Sequence, residues 1–183
     1  MPTNPIAAWH TEHVYFGQLL ELLRKELDVF HRGERPNYEL MLDIISYLRD
    51  YSDRYHHPRE DEAFARLAMR CPDMALVLAR LAQEHRVIAH AGNKLFEQLN
   101  AILGGQILPR AEVESAAATY LVYYGNHLAT EEQNILTRAA MALTDEDWQA
   151  VKAAAPAGVD PLFGERPAER YRELRGRSVD LRQ

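Results

Sequence analysis

The same order of ionisable residues occurs twice in this sequence, and it restricts the folds that the chain can adopt. A Glu-His pair is followed, after a long gap, by a His-x-x-x-Glu motif with another acid directly behind it. The two histidines of the first copy are 43 residues apart, and those of the second are closer by a single residue. The first copy consists of Glu12, His13, His56, Glu60 and Asp61, and the second of Glu84, His85, His127, Glu131 and Glu132.

Apolar residues recur at intervals of three and four over four long stretches, which predicts four amphipathic helices. No stretch alternates between apolar and polar residues, so no strand is predicted. With short connections, the pattern favours an all-α fold, an up-down-up-down antiparallel four-helix bundle. The helices are expected from Pro5 to about Arg32, from Tyr38 toward Ala68, from Pro72 or Asp73 to just before Gly104, and from after Pro109 to about Leu143.

The chain is predicted to divide into a bundle, residues 1–143, and a shorter segment, residues 144–183. Thr144 is a suitable N-cap for a short fifth helix, because acids follow it in the positively polarised first turn. Glycine and proline are frequent from Pro156 onward, which indicates an irregular tail packed loosely on the bundle, with room for a short helix after Pro167.

Pro58 lies inside the predicted second helix, where a proline costs about 3 kcal/mol. We expect a kink there, and a bound metal is one candidate for the compensating interaction. His56 and Glu60 flank the proline one turn apart, so both can reach a common point beside the helix. The alternative is a solvated polar turn between two helices.

Composition restricts the location and partners of the chain. Its 183 residues are 47% hydrophobic and carry a net charge of −6 with acids and bases interleaved, which gives no reason to expect nucleic-acid binding. No apolar run is long enough for a membrane span. The N-terminal residues lack the pattern of a secretion signal, and a lone cysteine, Cys71, suits a reducing compartment. We therefore expect a cytoplasmic protein that does not interact with membranes.

An up-down bundle would bring both copies of the repeat to one level between the helices. Burying four imidazoles and two carboxylates together is costly unless a cation sits among them. Nitrogen and oxygen ligands suit iron, manganese or zinc better than calcium or magnesium. Two carboxylates able to bridge indicate a pair of ions, and a closed tetrahedral zinc site would leave ligands over. The predicted metal ligands are His13, His56, Glu60, His85, His127 and Glu131.

The remaining polar residues are less well placed. His10, His57 and His90 could each add a further ligand, but we expect them to orient other ligands or to be exposed. His31 lies a helix length away and is excluded. Two tyrosines on the face of His127, Tyr120 and Tyr124, belong either to the pocket wall or to the core. Glu12 and Glu84 point about 100° away from the histidines that they adjoin and are weak candidates for orienting them.

From residue 6 to residue 143 the chain resembles the bacterial HHE cation-binding branch of the hemerythrin family. The resemblance lies in the order His, His-x-x-x-Glu, His, His-x-x-x-Glu, and it is most specific in residues 56–60 and in His127 with Glu131-Glu132. It implies an oxo- or hydroxo-bridged non-haem di-iron site with Glu60 and Glu131 as bridges. By the same resemblance, His13 and His56 would bind on one side of the pair, and His85 and His127 on the other.

Two differences separate the chain from the oxygen-carrying hemerythrins. Those proteins have a His-x-x-x-His pair on the third helix, where this chain has Ala89 four residues after His85. They also have an aspartate five residues after the fourth-helix histidine, where this chain has Glu131 at four and Glu132 at five. Both differences disfavour a reversible oxygen carrier.

The function expected from these residues is the binding of dioxygen, nitric oxide or peroxide at a carboxylate-bridged di-iron centre, for sensing, storage or redox detoxification. Zinc or manganese could replace iron. One alternative is a di-iron enzyme that breaks down peroxide or nitric oxide or repairs iron–sulfur clusters. Another is an interaction module that the metal merely stabilises. The residues do not decide whether the protein is an enzyme, and the amphipathic helices leave room for a homodimer.

Overall fold

The structure is a computed structural model that describes residues 5–180, with side chains to residue 177; residues 1–4 and 181–183, the outer ends of the two predicted segments, lie outside it. Within that range the chain is helical and has no strand, as predicted. None of its helices is long and apolar enough to cross a membrane. The helices are α1 (Ile6–His31), α2 (Tyr38–Tyr47), α3 (His57–Arg70), α4 (Ala75–Leu103), α5 (Arg110–Thr130), α6 (Leu136–Ala142), α7 (Asp145–Ala154) and α8 (Arg172–Asp180).

Four long helical rods make up most of the molecule, consistent with a four-helix bundle. The first is α1 and the third is α4. The second joins α2 to α3 through a π-helical segment, π1 (Leu48–His56), and the fourth joins α5 to α6 through another, π2 (Glu131–Ile135). The fourth rod packs against both α1 and α4, and α4 also packs against α2 and α3. The loops after the first and third rods each contain a glycine in the left-handed region, Gly33 and Gly105.

The second rod differs from the single kinked helix that the sequence predicted. The nine residues of π1 precede Pro58, which therefore lies in the first turn of α3. The amide of His57 donates to the carbonyl of Ser52, five residues back, and the side chain of Arg59 donates to the carbonyl of Tyr55 at 2.7 Å. A first-turn proline costs little, because its missing amide would have had no helical partner. The backbone thus accommodates Pro58 without a metal.

Two apolar clusters fill the interior. The larger consists mainly of inward-facing residues of α1, α2, α4 and α5. The smaller lies toward α3, α6 and α7. Phe16 belongs to the larger cluster and Trp9 to the smaller, and both rings contact the ring of His56, with centroids 5.0 and 6.2 Å away. The repeated polar residues therefore lie between two apolar regions.

The C-terminal segment is attached at two places. Helix α7 begins as predicted, at a capping box in which the side chains of Thr144 and Asp147 bond to each other's backbone amides, and it packs against α3. The tail is packed more tightly than the sequence indicated. Leu162 and Leu174 are completely buried in the larger cluster, and the ring of Phe163 stacks on that of Tyr15 at 4.0 Å.

Replacing Pro58 tests whether this backbone arrangement accommodates the proline without strain. Pro58→Ala should change the free energy of unfolding of the metal-free protein by less than about 1 kcal/mol, because the first turn of a helix tolerates either residue. The measurement is urea unfolding followed by circular dichroism. As a comparison, Arg86→Pro in the exposed middle of α4 should lose about 3 kcal/mol. A gain near that size on removing Pro58 would show that the proline is strained.

Candidate metal centre

The structure brings together the six residues that the sequence singled out. His13 comes from α1, His56 from the end of π1, Glu60 from α3 and His85 from α4. His127 lies in the last turn of α5, and Glu131 begins π2. All six are buried, with Glu60, His56, His127 and Glu131 fully inaccessible. This burial rules out a solvated polar turn around Pro58. Both π segments adjoin the site, which agrees with the frequent occurrence of π-helical turns at functional sites.

Half of the site is formed by His13 and His56. Their Nε2 atoms are 2.9 Å apart, and they lie 3.1 and 3.0 Å from the same oxygen of Glu60, Oε1. One oxygen of Glu131, Oε2, is 3.6 Å from the Nε2 atom of His13. Two imidazole nitrogens and two carboxylate oxygens therefore face a common point.

The other half is formed by His85 and His127. The Nε2 atom of His127 lies 3.0 Å from Oε1 of Glu131, and that of His85 lies 3.7 Å from the same oxygen. The second oxygen of Glu60, Oε2, is 3.5 Å from the Nε2 atom of His85. Each carboxylate thus directs one oxygen toward each pair of histidines.

Several of these atoms have no hydrogen-bond partner within the described part of the chain. They are Oε2 of Glu60, both carboxylate oxygens of Glu131 and the Nε2 atoms of His85 and His127, all of them buried. Leaving a buried polar atom unpaired costs about 1–3 kcal/mol, and more where it is charged. A cation among them would satisfy the whole set. Imidazole nitrogens with carboxylate oxygens form a donor set that fits iron, manganese or zinc.

Each histidine also presents its outer nitrogen, Nδ1, to a carboxylate. Such contacts fix the ring orientation and strengthen the nitrogen that faces the metal. The pairs are Glu132 with His13 at 2.7 Å, Asp61 with His85 at 2.8 Å, Glu84 with His127 at 3.2 Å, and Glu12 with His56.

This pattern revises the roles of Glu12 and Glu84. Both turn away from the histidine beside them in sequence, as expected, but each reaches the histidine of the following rod. The angle to the neighbouring histidine, which made them weak candidates in the sequence, does not matter here, because their partners lie on another rod. The repeat does indicate a role for these glutamates, since a glutamate precedes the first histidine in both copies.

Glu12 is held more firmly than its counterpart Glu84. It accepts hydrogen bonds from the hydroxyl of Tyr51 at 2.9 Å and from Arg59 at 2.7 Å, in addition to His56. Burial favours the neutral carboxyl group, but the hydrogen bond and charge of His56, with the charge of Arg59, outweigh it and lower the pKa of Glu12. Glu12 is therefore a fixed negative charge behind His56.

His57 lies in the centre, although the sequence favoured an outer or exposed position for it. The side chain is buried and stacks on His85 with ring centroids 4.2 Å apart. It can offer one ligand atom within 4.8 Å of those of Glu60, His85 and His127. Burial and the adjacent charge of His85 hold its pKa well below the usual range, so the ring is neutral, as a metal ligand must be. His57 is thus a candidate fifth imidazole on the His85 side.

Three other histidines lie outside the centre. His10 is exposed and bonds to the outer carboxylate Glu132 at 2.8 Å. His90 is exposed on α4. His31 is far along α1, where its side chain contacts Glu114 at 2.6 Å.

The two tyrosines on the His127 face are both buried. Tyr124 bonds through its hydroxyl to Ser52, which in turn lies 3.2 Å from Nε2 of His57. Tyr124 therefore belongs to the wall of the centre, whereas Tyr120 packs on Tyr124 and Gly92 within the apolar core.

Comparison with known proteins gives one match. A family model described as the hemerythrin HHE cation binding domain matches residues 4–139. No curated protein and no solved structure matches the chain.

Loading the metal-free protein with a cation should release protons at pH 7. Burial lowers the pKa of His13, but hydrogen bonds to Glu132 and Glu60 outweigh this effect and raise it to about 10. The ring is therefore protonated at neutral pH, and a cation must displace the proton from Nε2. Titration with Zn²⁺ in dilute buffer containing a pH indicator should record the release.

The release should decrease as the starting pH is raised through 9 toward about 10, because His13 then loses its proton before the metal arrives. His31→Ala, which removes a histidine outside the centre, should leave the release unchanged. Metal binding at pH 7 without any proton release would contradict the assignment of His13 as a ligand.

Proposed function

The chain belongs to the hemerythrin family of HHE cation-binding domains, and from this membership we propose that it holds two iron ions and binds a small exogenous ligand beside them. The observation that carries the proposal is the arrangement of Glu60 and Glu131. Each of these buried carboxylates directs one oxygen toward the His13 side and the other toward the His85 side. Bridging carboxylates require this arrangement.

The two sides offer different numbers of ligands. The side of His13 and His56 has two imidazoles, whereas the side of His85 and His127 has His57 as a third. Iron held by two imidazoles and carboxylates keeps open coordination positions. We therefore place dioxygen, nitric oxide or peroxide on the side of His13 and His56, where bound iron would supply the electrons.

The surrounding side chains support this role by excluding water. Phe16, Leu48 and Leu81 are fully buried in the bundle. The ring of Phe16 lies against the rings of both His56 and His13. An apolar wall slows the exchange of solvent and protons with the reduced centre and makes electrostatic interactions inside it stronger.

We also propose that the four rods run up-down-up-down and that residues 1–143 form a bundle to which residues 144–183 are added. The short connections between the rods support this topology. Residues 32–37, 71–74 and 104–109 join successive rods, and the four central histidines, one from each rod, meet at one level. Long helices joined by short loops pack as antiparallel neighbours.

Ligand binding is favoured over enzymatic turnover by His57. A third imidazole on one side leaves fewer open positions than the four-histidine set that the sequence indicated. Breakdown of peroxide or nitric oxide is the alternative function at the same centre, and turnover assays with either compound distinguish the two. The cytoplasmic location and the homodimer stay predictions.

Metal analysis combined with an absorption spectrum tests the proposal. Protein purified without added metal should contain two iron ions per chain. It should show near-ultraviolet charge-transfer bands that change when peroxide, dioxygen or nitric oxide is added. A colourless protein that carries zinc alone would exclude both the ligand-binding function and the enzymatic alternative.

Variants of the bridging residues provide the controls. Glu60→Ala or Glu131→Ala should lose iron, because each substitution removes two oxygens, one from each half of the site. Glu114→Ala removes a carboxylate that contacts His31 far from the centre and should retain both ions. Full retention of iron by both bridging variants would show that the ligand set is wrong.

His57→Leu tests the fifth imidazole. Leu128 occupies the corresponding position in the second copy of the repeat, so leucine is the residue that makes the two halves alike. We expect one of the two ions to bind at least about tenfold more weakly, as measured by competition with a chelator. His90→Leu, an exposed change on α4, should bind both ions normally. Affinities equal to those of the unchanged protein would remove His57 from the ligand set.

A further inference from the structure

A groove of about 300 Å³ runs between α1 and α5 and ends at the metal centre. Gly17 and Gly125 both line it and leave space in it, because outside the glycine's own stretch of helix no atom lies within 4 Å of the position that a Cβ would take at either. Leu20, Leu121 and Leu128 line its apolar part. Arg24, which pairs with Glu21, also lines the groove, and its remaining polar residues are His10, Glu132 and His13.

These three polar residues lead from solvent to the centre. The side chain of His10 is 61% exposed, that of Glu132 is 30% exposed, and that of His13 is only 2% exposed. Nδ1 of His10 lies 2.8 Å from one oxygen of Glu132, and Nδ1 of His13 lies 2.7 Å from the other. Groups that can bind a metal thus follow one another without interruption from the surface to a predicted ligand.

The second half of the repeat lacks this feature. Asp61 contacts the outer nitrogen of His85 in the same way that Glu132 contacts His13. The position that corresponds to His10, however, is Ala82. An imidazole beyond the outer carboxylate is therefore present only on the His13 side, where the groove lies.

A buried metal site needs a path by which the ion reaches it. We propose that this groove is the port of the centre, and that His10 and Glu132 form a transient site for a divalent cation such as Fe²⁺ on its way in. The inference rests on the proposed function, which supplies the metal. Imidazole and carboxylate are the donor types of the centre itself, so the port would accept the same class of ion.

The geometry suits such a transient site. Two ligands held at about 2.1 Å from one cation lie about 3 Å apart, close to the present separation of His10 and Glu132. Two protein ligands hold an ion weakly, which permits its release to the centre. Because the other oxygen of Glu132 contacts His13, an ion on this carboxylate is already next to a buried ligand.

Uptake kinetics test the proposal. Metal-free protein is mixed with Fe²⁺ under nitrogen, and the free Fe²⁺ that remains is measured over time with a chromogenic chelator. His10→Ala should slow uptake several-fold but reach the same final iron content. Gly125→Leu should also slow uptake, because its side chain would extend into the groove.

Two further variants separate a transient metal site from a merely structural contact. His10→Gln can still donate a hydrogen bond to Glu132 but binds metal poorly, and it should be as slow as His10→Ala. His31→Ala removes an exposed α1 histidine that also contacts a carboxylate of α5, and uptake should be normal. Normal uptake by His10→Ala, by His10→Gln or by Gly125→Leu would overturn the proposed port. Absence of iron uptake by the unchanged protein would instead contradict the proposed function.

Discussion

Two buried carboxylates that face each other across the bundle are the constraint on which this structure depends. Glu60 and Glu131 are both inaccessible to solvent, and burial together with the charge of Glu60 opposes ionisation of Glu131. The surrounding histidines outweigh both effects and hold the pKa of each carboxylate below its usual range. In the metal-free protein, protons on imidazoles such as His13 supply this positive charge. A cation would replace those protons, so protons and metal ions compete for the same few atoms.

Two features hold the central residues in position: the π segments of the backbone, and the four acidic side chains that contact the outer nitrogens of the histidines. Helix α3 begins directly after π1, and its first turn carries Glu60; π2 begins at Glu131 itself. The outer carboxylates connect the rods in a regular pattern: Glu12 and Glu84 hold the histidine of the next rod within their own copy, whereas Asp61 and Glu132 hold a histidine of the other copy. Every rod is therefore bonded through the centre to rods of both halves, and the orientation of each ring depends on two helices at once.

The sequence was sufficient to predict the helical rods and the six central residues, because apolar periodicity and the spacing of His and Glu are local properties. It did not predict π1 and π2, since apolar periodicity does not show whether a backbone amide pairs with the carbonyl four or five residues back. The partners of Glu12 and Glu84 were missed because direction on one helix does not reveal which side chains a neighbouring helix brings. The central position of His57 could not be predicted from the repeat, because its counterpart in the second copy is Leu128 and symmetry between the two halves gives it no role.

The departures from symmetry all distinguish one side of the centre from the other. His57 adds an imidazole beside His85, which gives that side the larger number of candidate ligands. On the opposite side, Gly17 and Gly125 line a groove that reaches His13. There, His10 contacts Glu132 and is exposed at the surface. A symmetric centre would present two equivalent ion positions to solvent. With an additional imidazole on one side and the opening on the other, one bound ion would be held more firmly and the other would be more accessible, as the proposed function requires.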